Sequence, residues 1–269
     1  MRCVVTMAGK DEYYNKAKQQ GYRARSAYKL QQLDDTAGLL GEGRTVVDLG
    51  AAPGGWMQVA AERIGERGTL VGVDRQTIDD LEDPEPTVEY VRGDMTEDST
   101  KDEIREIVGG SDGSGGPVDV VISDMAPNMT GQYDLDHARS VHLVRQAFEV
   151  ATDLLDAGGD FCAKVFDGQD LQDLIADIEP EFEYVREVRP DASRYSSSEL
   201  YLVAKHRLTA PVREGDVVEV TIEDIGEEGD GIAKVENFTV FVSGVEAGDT
   251  VEVRVDDVKP RFAFAEPVE

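Results

Sequence analysis

Cysteine is nearly missing from this chain of 269 residues: there are two, Cys3 and Cys162, far apart and in no CxxC pair. That excludes a disulfide framework and a thiolate zinc site, and it makes a reducing cytoplasm the expected compartment. No apolar run approaches the roughly 20 residues that a membrane span requires, and MRCVVTM is too short for a secretory leader. Met7 opens a more polar start, so residues 1 to 6 read as a start-site extension. Histidine is scarce as well. His137 and His142 lie five apart on an expected helix, not the facing spacing of paired ligands, so core or surface roles are expected and no metal site.

Basic charge is the other shortage. Against 56 acidic residues stand 27 basic ones, only nine of them lysine, for a formal charge of −29. Such acidity with 7% aromatics is a composition of disordered chains. Strand-like and helical apolar patterns nevertheless recur along the sequence, and the 40% hydrophobic share is ordinary for a globular protein. A folded, salt-adapted (halophilic) protein reconciles the two, because the Debye length falls to about 3 Å at molar ionic strength and screens the repulsion.

The patterning gives an α/β fold in two domains. After a basic opening come a helix from Ser26 to Leu39, then TVVDLG (45 to 50), a helix from Gly54 and TLVGVD (69 to 74). VEYVRGD (88 to 94), a helix near 98 to 108, VDVVISD (118 to 124), a helix near 136 to 156 and a strand around Lys164 continue the alternation. Two more strands near 182 to 207 make seven, and the alternation predicts a parallel sheet covered on both faces. GGSDGSGGP (109 to 117) reads as a flexible connection. Past about Pro211, five short strands with Gly turns predict a small OB-like barrel, which divides the chain into residues 1 to 207 and 208 to 269.

DLGAAPGGW (48 to 56) is a strand and Gly-rich turn opening a helix, the place where open α/β sheets bind ligands. In a dinucleotide fingerprint the second glycine admits pyrophosphate; here Ala52 holds that place, and Pro53 removes a donor. A ligand without phosphates suits the turn better. Asp74, ending the second strand, is placed to accept from ribose hydroxyls, and Asp94, ending the third, from an adenine amino group. Acidic walls also suit a sulfonium, so S-adenosylmethionine is expected over NAD, although strand-end acids also serve as caps.

GGDFCAKVFDG (158 to 168) poses the sharpest question, since Lys164 sits inside an apolar strand. Burying an ammonium is costly unless it is paired, so this lysine is either shielded by acids or used as a base. The motifs YRARSAYKL, DLGAAPGGW, SDMAPNMTG, KVFDG and SRYSSSELYLVA, in that order over residues 10 to 205, resemble the FtsJ-type (RlmE) ribose 2′-O-methyltransferases of ribosomal RNA. The resemblance implies a Rossmann-like methyltransferase sheet using S-adenosylmethionine and a Lys-Asp-Lys-Glu catalytic set at Lys29, Asp124, Lys164 and Glu199. It implies Lys164 as general base, Asp124 and Glu199 as orienting partners and Lys29 at the target nucleotide. It also implies cofactor contacts by Gly54, Trp56, Asp74, Asp94 and Asp124.

The expected substrate is a uridine ribose of 23S ribosomal RNA, free or in the large subunit, with no DNA and no membrane as partner. A transfer-RNA methyltransferase and a non-catalytic assembly factor are the competing readings. Between Lys10 and Lys29, six basic residues face two acids and are interleaved with Tyr13, Tyr14, Tyr22 and Tyr28, a pattern suited to single-stranded RNA. From about residue 208 the chain resembles a TRAM domain, an OB-like barrel attached to RNA-modifying enzymes. With 16 acids and five bases in 212 to 269, RNA contact there needs a local patch: Lys234, Arg254, Lys259 and Arg261, with Phe262 and Phe264.

Overall fold

The computed structural model describes residues 9–109, 118–193, 197–226 and 229–268. Cys3, the connection after residue 109, the Lys10 side chain and part of SRYSSSEL lie outside the described residues. In chain order the elements begin with α1 (Gly9–Gln20), α2 (Ala27–Ala37), β1 (Thr45–Leu49), α3 (Gly55–Ile64), β2 (Thr69–Asp74) and β3 (Thr87–Arg92). Then follow α4 (Asp98–Gly109), β4 (Val118–Ser123), α5 (Tyr133–Leu154), β5 (Leu155–Phe166), α6 (Leu171–Ile178), β6 (Phe182–Val188) and β7 (Glu199–Arg207). Five short strands close the chain: β8 (Val217–Ile225), β9 (Gly231–Val235), β10 (Phe238–Val242), β11 (Thr250–Val258) and β12 (Phe262–Pro267).

The seven expected strands form one sheet in the order β3-β2-β1-β4-β5-β7-β6. It is mixed rather than all parallel, because β7 runs antiparallel to both β5 and β6. The connection between Val188 and Glu199 is too short for the helical crossover a parallel neighbour needs. Two helices, α1 and α6, add to the sequence expectation.

Period-two alternation sorts the strand residues to the two faces. Val47, Leu49, Val121, Ala163 and Leu202 pack on the side of α4, α5 and α6. Val46, Ile122, Cys162, Tyr201 and Val203 pack on the side of α2 and α3. Lys164 follows Cys162 by two and pairs in register with Tyr201, so it faces α2 and α3 as well.

The last five strands close into a barrel, β10-β12-β11-β8-β9, around Val220, Ile222, Val240, Val242, Val253 and Ala265. Lys259 joins it to the sheet through Glu183 at 3.1 Å, while His206 holds the other Glu183 oxygen at 2.7 Å. The Lys259 ammonium also meets Asp257 at 3.2 Å, so it takes part in this junction. No helix among the described residues is long and apolar enough to cross a membrane.

Candidate active site

The loops leaving the carboxyl ends of β1 to β4 enclose a cavity of about 530 Å3, lined by Gly50, Ala52, Asp74, Asp94, Asp124 and Gln146 among others. Gly50 sits at φ +79, and a Cβ there would lie 2.2 Å from Met125 Cγ, so only glycine lets the first and fourth loops meet. Asp74 and Asp94 are also caps. Asp74 accepts from the Ala52 N–H at 3.0 Å and the Gln76 N–H at 2.8 Å. Asp94 accepts from Thr96 N–H and hydroxyl, which hold its carboxyl below the usual range.

At the cavity's rim Asp124 gathers the catalytic residues expected from the sequence. Its Oδ1 accepts from Lys164 Nζ at 2.9 Å and from the Tyr201 hydroxyl at 2.6 Å. Lys164 also donates to the Asp124 carbonyl and is 8% exposed, so its ammonium is both buried and paired. Beside it, Lys29 Nζ meets Glu199 Oε1 at 2.6 Å and lies 5.8 Å above the Tyr201 ring centre. Glu199 accepts further from Ser193 Oγ at 2.8 Å.

Tyr201 links the two ion pairs, and sequence reasoning missed it. A signal was present: it follows Glu199 by two in a strand, so both share a face. Burial, then the nearby Asp124 and Glu199, push its phenol well above the ordinary range and keep it a donor. Trp56 and Gly54, expected at the cofactor, stand elsewhere than the cavity wall. The Trp56 indole donates to the Ser26 carbonyl at 2.9 Å and packs 5.7 Å from the Tyr201 ring. Gly54, at φ +101, caps α3, and a Cβ on it would lie 2.6 Å from the Arg23 guanidinium.

Asp48 is a second residue that the sequence reading did not single out. It lies in β1, buried, and neither carboxyl oxygen has a hydrogen-bond partner. Burial, then Asp124 and Asp74, raise its pKa well above the carboxylate range.

The basic segment before α2 is more structural than its pattern implied. Arg23 donates to the carbonyls of Pro53, Asp79 and Asp80, tying the loops after β1 and β2 together. Arg25 donates to the Ala192 carbonyl at 2.6 Å, and Lys16 stands 4.8 Å above the Tyr28 ring. His137 has the core role expected of it. Buried, it takes a hydrogen bond at Nε2 from the Asp170 N–H, and its Nδ1 lies 2.7 Å from the Phe166 carbonyl.

A doubly covered α/β sheet with a ligand cavity at its carboxyl edge, adjoining a buried Lys-Asp pair, has the architecture of a Rossmann-like methyltransferase. The chain belongs to the FtsJ-like methyltransferase family, whose profile matches residues 22–207, and the TRAM domain profile matches residues 211–268. It is 95% identical over 98% of its length to the whole of the ribosomal RNA large subunit methyltransferase E of Haloarcula marismortui. It is 66% identical, over the same 98% and again the whole relative, to the protein of that name from Natronomonas pharaonis. Among solved structures, a ribosomal RNA methyltransferase of Plasmodium falciparum matches with a TM-score of 0.60 and 26% identity, covering 69% of this chain and 98% of that one.

Proposed function

We propose that this protein transfers the methyl group of S-adenosylmethionine to the 2′-hydroxyl of a uridine ribose in 23S ribosomal RNA of the large subunit. The observation that carries this reading is the Lys164–Asp124 pair, buried yet set at the rim of the cavity. The relatives named for large-subunit RNA methylation supply the substrate class.

The cavity suits the donor. Its charged lining is Asp74, Asp94 and Asp124 against Arg75 alone, which favours a cationic ligand over a phosphorylated one. Asp74 and Asp94 would hold the ribose and adenine ends, and the backbone around Gly50 and Ala52 leaves room beside them. When bound, S-adenosylmethionine supplies an electrophilic methyl group on a positively charged sulfur.

The residues around Asp124 prepare the acceptor. Lys164, acting as a neutral amine, takes the proton of the ribose hydroxyl, the transfer that a positioned base contributes. Asp124 aims that amine, and Tyr201 in turn fixes the Asp124 oxygen. Lys29, anchored by Glu199, presents a cation to the target nucleotide. In this reading residues 1 to 207 catalyse and residues 208 to 269 dock RNA.

Mapping 2′-O-methyl groups in total RNA with and without the gene tests the proposal. One large-subunit uridine is expected to lose its methyl group. An unchanged map, or a loss confined to transfer RNA, overturns the substrate assignment.

A further inference from the structure

The connection from β4 into α5 exposes three large apolar side chains within seven positions: Met129 at 62%, Tyr133 at 58% and Leu135 at 38%. An exposed apolar cluster is conspicuous on a chain of charge −29. The loop is also held firmly. Asp136 accepts from the N–H groups of Thr130 and Gly131 and from the Thr130 hydroxyl, at 2.8 to 2.9 Å. Arg139 donates to the Asn128 carbonyl at 3.4 Å.

Tyr133 is fixed at one end only. Its hydroxyl donates to the Asp167 carbonyl at 2.6 Å, while most of the side chain stays open to solvent. Asp167 in turn donates its N–H to the Ser198 carbonyl at 2.7 Å, next to Glu199 of the catalytic set. The ring is therefore joined to the acceptor site through two hydrogen bonds, one from its own hydroxyl and one between backbones. Arg189 binds the carboxylate of the same Asp167 at 2.7 Å, and Arg139 of the same helix holds the Asn128 carbonyl.

We propose that Tyr133, with Met129, forms a stacking platform for an unpaired base adjoining the nucleotide that is methylated; Leu135, two positions along the same helix, faces elsewhere. The inference rests on the RNA methyl-transfer reading. A polymer that brings a ribose to Lys164 has its neighbouring nucleotides near this residue, and an exposed aromatic ring suits a nucleobase. The geometry favours RNA over a second copy of the chain, because the patch continues directly from the acceptor site.

The test compares wild type, Tyr133→Ala, Tyr133→Phe and Met129→Ser at matched molar salt. Half-saturation for large-subunit RNA is expected to rise about tenfold in Tyr133→Ala, the order of one lost base stack. Tyr133→Phe, which keeps the ring and loses the hydroxyl, stays within about twofold of wild type on the same reasoning. S-adenosylmethionine affinity and kcat are unchanged in both, and Met129→Ser shifts half-saturation the same way by less. Direct titration of a short uridine-containing RNA strand bearing 2-aminopurine gives the same ranking without any chemistry.

Equal half-saturation for wild type and Tyr133→Ala overturns the proposal. So does Tyr133→Phe failing as badly as Tyr133→Ala, which would make the hydroxyl anchor, not the ring, the active element. A wild-type dimer in sedimentation that Tyr133→Ala dissociates assigns the patch to a second copy and also overturns it. Should wild type methylate no RNA, the function reading fails, and the 2-aminopurine titration still decides the platform.

Discussion

Strand β5 carries the same chemical pair twice, in opposite circumstances. Near its carboxyl end Lys164 meets Asp124, and four residues earlier, at mid-strand, Asp160 meets Lys205 of β7 at 2.6 Å. Asp160 is saturated: Arg44 shares its Oδ2 at 3.0 Å, and the His206 N–H reaches its Oδ1 at 3.1 Å. Lys205 spends a further proton on the Gly38 carbonyl at 3.1 Å. Asp124 concentrates its partners on Oδ1, while its other oxygen accepts no hydrogen bond among the described residues. A buried Lys-Asp pair is thus structural where both carboxylate oxygens are engaged, and chemically available where one stays open at the strand ends that face ligands.

The comparison breaks first at Lys164. Lys164→Ala is expected to cut methyl transfer by about 100- to 10,000-fold, the contribution of a positioned base, with S-adenosylmethionine affinity nearly intact. Turnover like that of wild type from the purified variant would place the pair on the structural side. Lys205→Ala inverts the pattern. Stability is expected to fall by about 3 kcal/mol, the cost of breaking a buried pair, while kcat per folded molecule holds. Chemical denaturation and single-turnover rates on one preparation measure both, and a collapse of kcat without loss of stability would refute the division.

The smallest effect concerns Asp48, which has neither kind of partner. Its raised pKa means that the folded state binds a proton the unfolded chain has released, so stability is lost as pH rises from the unfolded toward the folded value. Asp48→Asn removes that loss. Its melting temperature relative to wild type should therefore climb from about pH 4, the unfolded carboxylate range, toward neutrality. A difference independent of pH would mean that folding does not shift the Asp48 pKa, and a difference of opposite slope that Asp48 is ionised and paired in the folded chain.

Much of the site was readable because strand ends and motif order survive in one dimension. Asp124 closes VVIS, Lys164 interrupts FCA and VF, and parallel-sheet logic sends the first to the ligand edge. What was not readable depends on pairing between distant segments. Lys205 in YLVAKHR looks like a strand-end charge until Asp160 and the Gly38 carbonyl are found beside it. Arg23 is one of the six basic residues between Lys10 and Lys29, and its guanidinium is used on loop carbonyls, which no local pattern announces. Trp56 follows the glycine turn in sequence, and its indole contacts, the Ser26 carbonyl and the Tyr201 ring, again come from segments distant in the chain.

The reversed direction of β7 also sets a span for the substrate. The strand starts at Glu199 among the catalytic groups, and its nine residues carry the chain roughly 27 Å before the barrel begins. The barrel then rests under the opposite edge of the sheet, where Pro260, Arg261 and Phe262 share a cleft with Val118, Asp119 and His206. Under the proposed function, RNA docked on the barrel is therefore remote from the ribose that Lys164 serves, and the choice of nucleotide falls to the loops and helices at the far edge. The barrel then acts as an address label: exchanging it for one of different affinity is expected to change which assemblies are visited and to leave unaltered the position that is marked.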